Sequence, residues 1–524
     1  MKIEAGYVQS KFFYIVLFLL DYGVLVLHHL KGDSLPFEVI AKIVLLCLFW
    51  VVIIKDEVWA LVLFLGTSIV LGYNGELHRF PGGIPISIYF LVFLCFRMAV
   101  FSQQRSYLWK RMQQSSFLLY VVLTGMVVPA IGILGGLVHH NNRTYLLKDA
   151  DSWFFYLFFF CCLALIRNQA RFIFLMQSFF TAIFISALLN TVISCVYIYQ
   201  ILSVDNISHL YYQVLNLGGL LMFKTSGALR IYTGNVIFLP IAICLVVLML
   251  ILKRRLSFLI WFLIFLILVQ SLITSYTRAF WLSSFLSMVL LVFFLPSAQL
   301  KKEFLAACFS FCMIFTIILN FVRISPFQVI KSELNRISES IAMFKEGFEA
   351  GQSNPQFSDG GDSTAIKLKQ YLALFDHTRK KLAFGHGFGA TLPGQKTYRL
   401  EKDMYPFVFE AGYGDLFMKV GVIGFCLWFS LLGALGIKWI VLYHTSKFNT
   451  RLILIVFGLP LIGLLFAFAT NPYIYTPFGI LTLVVTTFVL DQISLFNQQG
   501  QSEQINILFE SFYGKVVKKG NVCE

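Results

Sequence analysis

The sequence predicts an all-α, polytopic helical membrane protein with about 14 crossings and a long helical loop on one face. Three observations carry that reading. Of 524 residues, 58% are hydrophobic and only 13% charged, about half the charged share of a water-soluble chain. The mean hydropathy is +0.79. The apolar residues also come in runs of membrane-crossing length, joined by short connections that alternate between rich and poor in Lys and Arg. These figures exclude a soluble globular enzyme, a disordered chain, a collagen and a disulfide scaffold.

The runs fall at 12–29, 37–54, 58–72, 84–101, 115–137, 152–166, 172–200, 235–252, 256–273, 279–296, 303–321, 413–437, 452–469 and 474–494. The third and sixth are short for a hydrocarbon core of about 30 Å and are expected to tilt or to be partly re-entrant. No repeat of fixed period is visible. The first run lacks a small-residue cleavage site and reads as a signal anchor.

A net charge of +15, from 41 Lys and Arg against 26 Asp and Glu, would point to nucleic acid in a soluble protein. In a membrane protein basic residues are topology signals first, because positively charged loops stay in the cytoplasm. The connections holding Arg105, Lys110 and Arg111, then Arg167 and Arg171, then Lys253 to Arg255 fall on one side. So do Lys301 and Lys302, then Lys438, Lys447 and Arg451, and finally Lys515, Lys518 and Lys519. Fourteen crossings of a bacterial inner (plasma) membrane put all of them, and both termini, in the cytoplasm. Nucleic acid is then no partner. Nine of the ten cysteines lie in apolar runs, where cysteine behaves as a small buried hydrophobe, and none lies in the long loop. Neither disulfides nor a thiolate metal site is expected.

The chain divides into residues 1–321 with the first eleven spans, a 322–412 loop, the last three spans over 413–495, and a 496–524 cytoplasmic tail. The loop, about 90 residues on the outer, periplasmic face, is long enough to suggest function rather than connection. Ser325 to Ala350 reads as an amphipathic helix, with Ser325 as N-cap, Pro326 in the first turn and Ile330, Leu334, Ile337, Ile341 and Phe348 at helical spacing. A Gly/Ser/Asn/Pro linker runs from Gly351 to Gly361, and a second helix from Asp362 to Lys381. A turn, Gly385-His386-Gly387-Phe388-Gly389, and a charged stretch to Asp403 follow. Two apolar helix faces predict that the loop packs onto the membrane domain.

Candidate chemistry gathers on that outer side. Arg230 stands before the eighth span and Arg278 opens the tenth. Each could simply be an arginine snorkelling at a helix end. Both, however, oppose the charge bias of the outer loops and sit at headgroup depth, where a planar guanidinium can hold phosphate oxygens in bidentate fashion. A pair could bind a diphosphate and stabilise charge developing as it leaves. Glu410 and Asp415 open the twelfth span. The helix dipole alone favours acids there, and the functional reading is a carboxylate facing the outer vestibule as general base toward a hydroxyl. Lys419 lies one turn below Asp415 as an i,i+4 partner. His386 is an acid/base candidate within a turn whose GxGxG pattern lacks the strand and helix of a dinucleotide site. Arg379, Lys380 and Lys381 could contact phosphate or acidic glycan, or form a solvated helix C-terminus favoured by the dipole, which is preferred. Asp149-Ala150-Asp151 has the spacing of a metal-binding DxD, but Asp151-Ser152 more simply caps the sixth span. Asp21, inside the first span, costs roughly 2.5–3.5 kcal/mol to insert and should have a partner or face a wet cavity.

The order of these pieces resembles the O-antigen polymerase and O-antigen ligase superfamily of bacterial envelope proteins. The matching stretches are LRIYTGN (229–235), SYTRAFWLS (275–283), LAFGHGFGA (382–390) and FEAGYGDLFMKVGVIG (409–424), over the middle and last thirds of the chain. The resemblance implies a membrane glycosyltransferase of the GT-C type, acting on the outer face without metal or other cofactor on glycans carried by undecaprenyl diphosphate. It places Arg230 and Arg278 at the lipid diphosphate and Glu410 beside the nucleophile. His386, Tyr413, Asp415 and the Arg379–Lys381 triplet are the further candidates for substrate binding. In the ligase branch a His-Asn pair begins the segment ending Gly-x-x-Gly. Glu410-Ala411 stands in its place here, which is closer to the polymerase branch.

The expected function is therefore polymerisation of lipid-linked repeat units into O-antigen, capsule or exopolysaccharide. Membrane lipids and a chain-length regulator protein are further expected partners. Two alternatives stay open, a ligase moving finished glycan onto lipid A-core and a polysaccharide flippase or exporter. An exporter needs ionisable residues along a path through the spans. Apart from Asp21, Lys42, Arg97 and Lys419 the predicted spans hold few charges, which favours a surface enzyme.

Overall fold

The protein is described by a computed structural model over residues 52, 56–71, 86–100, 102–199, 201–209, 220–223, 229–252, 257–275, 277–306, 363–392, 409, 411–469 and 476–499. The predicted spans 12–29 and 37–54, with Asp21 and Lys42, lie outside those residues save for residue 52. So do most of span 303–321, the first loop helix, the linker, the charged stretch, Glu410 and all but the first residues of the tail.

The chain is helical, as the apolar periodicity requires. The helices are α1 (Glu57–Leu71), α2 (Ile86–Val100), α3 (Ser102–Gln114), α4 (Ser116–Val138), α5 (Arg143–Asp151), α6 (Tyr156–Leu165), α7 (Gln169–Ile198) and α8 (Val204–His209). After a hairpin of β1 (Leu220–Phe223) and β2 (Leu229–Tyr232) come α9 (Leu239–Leu252), α10 (Ser257–Thr274), α11 (Arg278–Phe294), α12 (Ser363–Thr378), α13 (Gly412–Thr445), α14 (Phe448–Phe468) and α15 (Pro477–Gln498). Among the described residues, six helical stretches are long and apolar enough to cross a membrane, and four shorter apolar ones accompany them. Caps fix several starts. Ser115, Asn142, Asn168 and Thr476 each accept an amide N–H of the turn that follows, and Pro477 sits at the head of α15.

Three local results differ from the sequence reading. The antiparallel hairpin, with Met222 opposite Arg230, departs from an all-α chain. Its four-residue strands are too short to register in a helix-length window. The sixth expected span, 152–166, is a jointed rod of the 3-10 turn Ser152–Phe155 and α6, 4 and 10 residues long, and it continues directly from the 9 residues of α5. Asp151 does not cap that rod. It already has helical angles, φ −59 and ψ −34, and makes no side-chain cap bond, whereas an N-cap residue needs extended backbone.

The bundle has two chemically distinct ends. At one, Tyr443 donates to the carbonyl of Phe294, Asn497 Nδ2 lies 2.9 Å from Ser446 Oγ and Lys438 Nζ 2.8 Å from Ser494 Oγ. Arg111 meets Asp491 there, inside the packed helices. This end carries Arg105, Lys110, Arg167, Arg171, Lys447 and Arg451, while Lys253 to Arg255 and the tail lysines lie outside the described residues. At the other end, Phe238 and Phe478 touch at 5.8 Å between centroids, Tyr371 donates to the carbonyl of Ala469, and Asn141 Nδ2 lies 2.9 Å from the carbonyl of His386. The second loop helix, α12, packs here as its apolar face predicts, burying Leu374 beside Leu392, Phe409 and Met418.

Candidate functional site

The glycine-rich turn is the keystone of the second end. Gly385, Gly387 and Gly389 have φ of 72, 80 and 74, the left-handed region that glycine enters without steric penalty. The turn seats in a break in α13 at Gly421, where φ is 63 and ψ −169. Breaking a helix strands carbonyls above the break and N–H groups below it, which an apolar environment cannot satisfy. The turn supplies the missing partners. The N–H groups of His386 and Gly387 donate to the carbonyls of Met418 and Lys419 at 2.8 and 2.9 Å, and those of Val422 and Ile423 donate to Leu382 and Ala383 at 2.9 and 3.1 Å. On the far side the Phe388 N–H donates to Gly132 of α4 at 2.7 Å. A Cβ on Gly387 would stand 1.9 Å from Gly136 N and 2.2 Å from Gly135 C, so two backbones meet with no room for a side chain.

Beneath the turn lies an ion cluster. Lys419 Nζ is 2.8 Å from Asp149 Oδ1 and 3.0 Å from Asp415 Oδ1. Asp149 Oδ2 accepts the Gly389 N–H at 2.7 Å. All three charged residues are buried. Charges taken out of water persist only when paired and hydrogen-bonded, and here the pairing joins α5, α13 and the turn. The i,i+4 pair of Asp415 and Lys419 forms, but Asp415 is fully enclosed and presents no carboxylate to an outer vestibule. Asp149, two positions from the residue read as a cap, is the partner that sequence reasoning missed. The available signal was a lysine alone in a span, which needs a buried carboxylate partner.

Three histidines edge the turn. His386 Nε2 lies 2.9 Å from the carbonyl of His377, so that nitrogen carries the proton, and the two rings stack at 3.9 Å between centroids. His139 Nδ1 is 3.1 Å from the carbonyl of His386, which also accepts from Asn141. Burial, then the charges of His386, Lys380 and Lys381, push His377 down to about 4. Burial lowers His386 as well, partly opposed by its bond to His377. Both imidazoles are neutral at pH 7. His386 is therefore first a brace for the turn.

Arg230 occupies the alternate face of β2 from Ile231. Ile231 is buried with Leu221, Ile193 and Ile207, and the two-residue period of a strand turns Arg230 the other way. Its Nε lies 3.2 Å from the carbonyl of Ser275, in the α10–α11 connection that leads into Arg278, the first residue of α11. The segments carrying the two arginines thus meet. Next to them Asn190 Nδ2 approaches Ser271 Oγ at 3.2 Å, and Asn235 Nδ2 lies 2.6 Å from the carbonyl of Ile69. These bonds satisfy polar groups between apolar helices.

The remaining predicted residues are spread out. Glu410 lies outside the described residues. Tyr413 commits its hydroxyl to the carbonyl of Leu465 at 2.8 Å. Arg379, Lys380 and Lys381 are exposed, and the Arg379–Asp376 contact of 3.7 Å is a loose surface pair. That fits the solvated helix terminus. Among the described residues no three His, Cys, Asp or Glu side chains converge as a metal site requires. Comparison with protein-family models finds no match, and comparison with curated proteins finds none either.

Proposed function

We propose that this chain is a multi-pass membrane glycosyltransferase of GT-C type, with about 14 crossings, that joins lipid-linked oligosaccharide repeat units into a surface polysaccharide. A sugar hydroxyl of one lipid-linked repeat attacks the anomeric carbon of a glycan on a second lipid diphosphate. A new glycosidic C–O bond forms as the C–O bond to the diphosphate breaks, the electron pair leaves with the diphosphate, and the hydroxyl proton passes to a carboxylate, for which Glu410 is the candidate. Arg230 and Arg278 neutralise the departing diphosphate.

The observation that carries this reading is the approach of Arg230 to Ser275, 3.2 Å from Nε to the carbonyl, which brings together the two segments with arginines against the charge bias. The docked glycine turn, at the same end, supports a loop held over the site. The order of these pieces resembles that of the O-antigen polymerase and ligase superfamily. The test is deletion followed by glycolipid gel analysis. Lipid A-core bearing one repeat is expected. Core without any repeat beside lipid-linked polymer would mean a ligase, and repeats accumulating on the cytoplasmic face would mean a flippase. Arg230→Ala and Arg278→Ala should each abolish chain extension at unchanged protein level. Normal chain length in either variant removes that residue from the site.

A further inference from the structure

The opposite end of the bundle holds a feature that the proposed reaction does not use. Helix α3 joins two apolar helices but is itself polar, SQQRSYLWKRMQQ. Its two faces divide cleanly. Leu108 and Met112 pack toward the core, and Arg111, 6% exposed, reaches inward to Asp491. Arg105, Ser106, Trp109, Lys110, Gln113 and Gln114 are exposed, in the i, i+4, i+5 pattern of one helical stripe. The α6–α7 connection adds Arg167, whose guanidinium sits 4.7 Å from the ring centroid of Tyr107 on α3, and Arg171. These two also bond backbone carbonyls at the end of α6, Arg167 to Ala164 and Arg171 to Leu165, each at 3.0 Å.

The surface thus carries Arg105, Lys110, Arg167 and Arg171 around an indole that is 58% exposed. Neither α3 nor residues 166–171 contain an acidic residue. Among the described residues none of these four cations has a carboxylate partner. The nearby carboxylates are engaged elsewhere, Glu57 by Arg97 and Gln104, and Asp491 by Arg111. A solvated cytosolic face would gain nothing from an exposed Trp. A helix lying along the headgroup layer gains from both, since indoles partition to that layer and guanidinium and ammonium groups pair with lipid phosphates.

We propose that the exposed stripe of α3, with Arg167 and Arg171, is a binding surface for anionic phospholipid headgroups at the basic end of the bundle. Trp109 enters the interface, and Arg105 and Lys110 pair with headgroup phosphates. The inference stands apart from the glycosyltransferase reading, because it concerns the other end of the molecule and its readout is lipid binding.

The test uses the full chain in detergent micelles, titrated with phosphatidylglycerol or phosphatidylcholine of the same acyl chains and followed by native mass spectrometry. At low ionic strength phosphatidylglycerol should bind several-fold more tightly, and the preference should shrink with added salt. Arg105→Gln/Lys110→Gln, two exposed positions, should lose most of the preference while the thermal midpoint holds. A phosphatidylglycerol brominated in its acyl chains should quench the wild type more than Trp109→Phe. Equal affinity of the wild type for the two lipids, or a preference retained in the double variant, overturns the proposal.

Discussion

The two ends of the bundle bury charge in opposite ways. At the end with the glycine turn, one ammonium serves two carboxylates, Lys419 between Asp149 and Asp415. At the basic end one carboxylate, Asp491, is met by Arg111, and the field of Lys438 also reaches it. The cluster at the turn end also bonds a backbone amide of the inserted turn, whereas Arg111 and Asp491 belong to uninterrupted helices, α3 and α15. One arrangement fastens a foreign segment into a broken helix. The other pins intact helices side by side. Burial of charge here acts as a connector, and its kind follows from what has to be joined.

The sharpest way to break that comparison is steric. Gly387→Ala cannot be relieved by a rotamer change, because its Cβ would collide with the Gly135–Gly136 backbone. Loss of more than about 4 kcal/mol is expected, seen as failure to yield folded protein or a collapsed thermal midpoint. Removal of the cations comes next. Lys419→Met should cost about 3–5 kcal/mol, since it strands two buried carboxylates. Arg111→Met should cost less, because Lys438 remains near Asp491. Equal losses in thermal unfolding would erase the distinction between the ends. Asp149→Asn keeps an acceptor for the Gly389 amide and should cost roughly 1–3 kcal/mol. Combined with Lys419→Met, it should show less than additive damage in a double-mutant cycle.

A smaller effect comes from pH. His377 has its affinity for protons lowered in the fold, to about 4, from an ordinary value near 6.5. The unfolded state therefore binds more protons between those values, so stability is full above about 6.5 and is lost as pH falls toward 4. Hydrogen-exchange protection of the His386 and Gly387 amides, corrected for intrinsic rates, should drop over that window. Amides at the basic end should not follow, and His377→Gln should flatten the response. The smallest effect belongs to the surface triplet. Arg379→Ala, Lys380→Ala and Lys381→Ala should each shift stability by less than about 0.5 kcal/mol.

Much of the helical frame could be read from the sequence because an apolar run is a local property. The expected span 115–137 appears as Ser116–Val138, and 279–296 as Arg278–Phe294. The second loop helix was legible for the same reason. What escaped was non-local. Asp149 and Lys419 are 270 positions apart, and no pattern near Asp149 announces a lysine. Gly421 looks like any glycine in an apolar helix until its φ is known. Arg111 was counted with the loop charges that set topology, yet it lies inside, because Asp491 on α15 offers it a buried partner. The hairpin that aims Arg230 escaped because an Arg between Leu and Ile has no helical period to betray a strand.

The interrupted helix bears on how the protein is made. While α13 enters the bilayer alone, the carbonyls of Met418 and Lys419 and the amides of Val422 and Ile423 have no partners in lipid. Their partners arrive only when the segment before it folds back and threads its tip between α13 and α4. Completion of this span is thereby tied to correct placement of the residues preceding it, so docking of the turn becomes a checkpoint in assembly of the whole bundle.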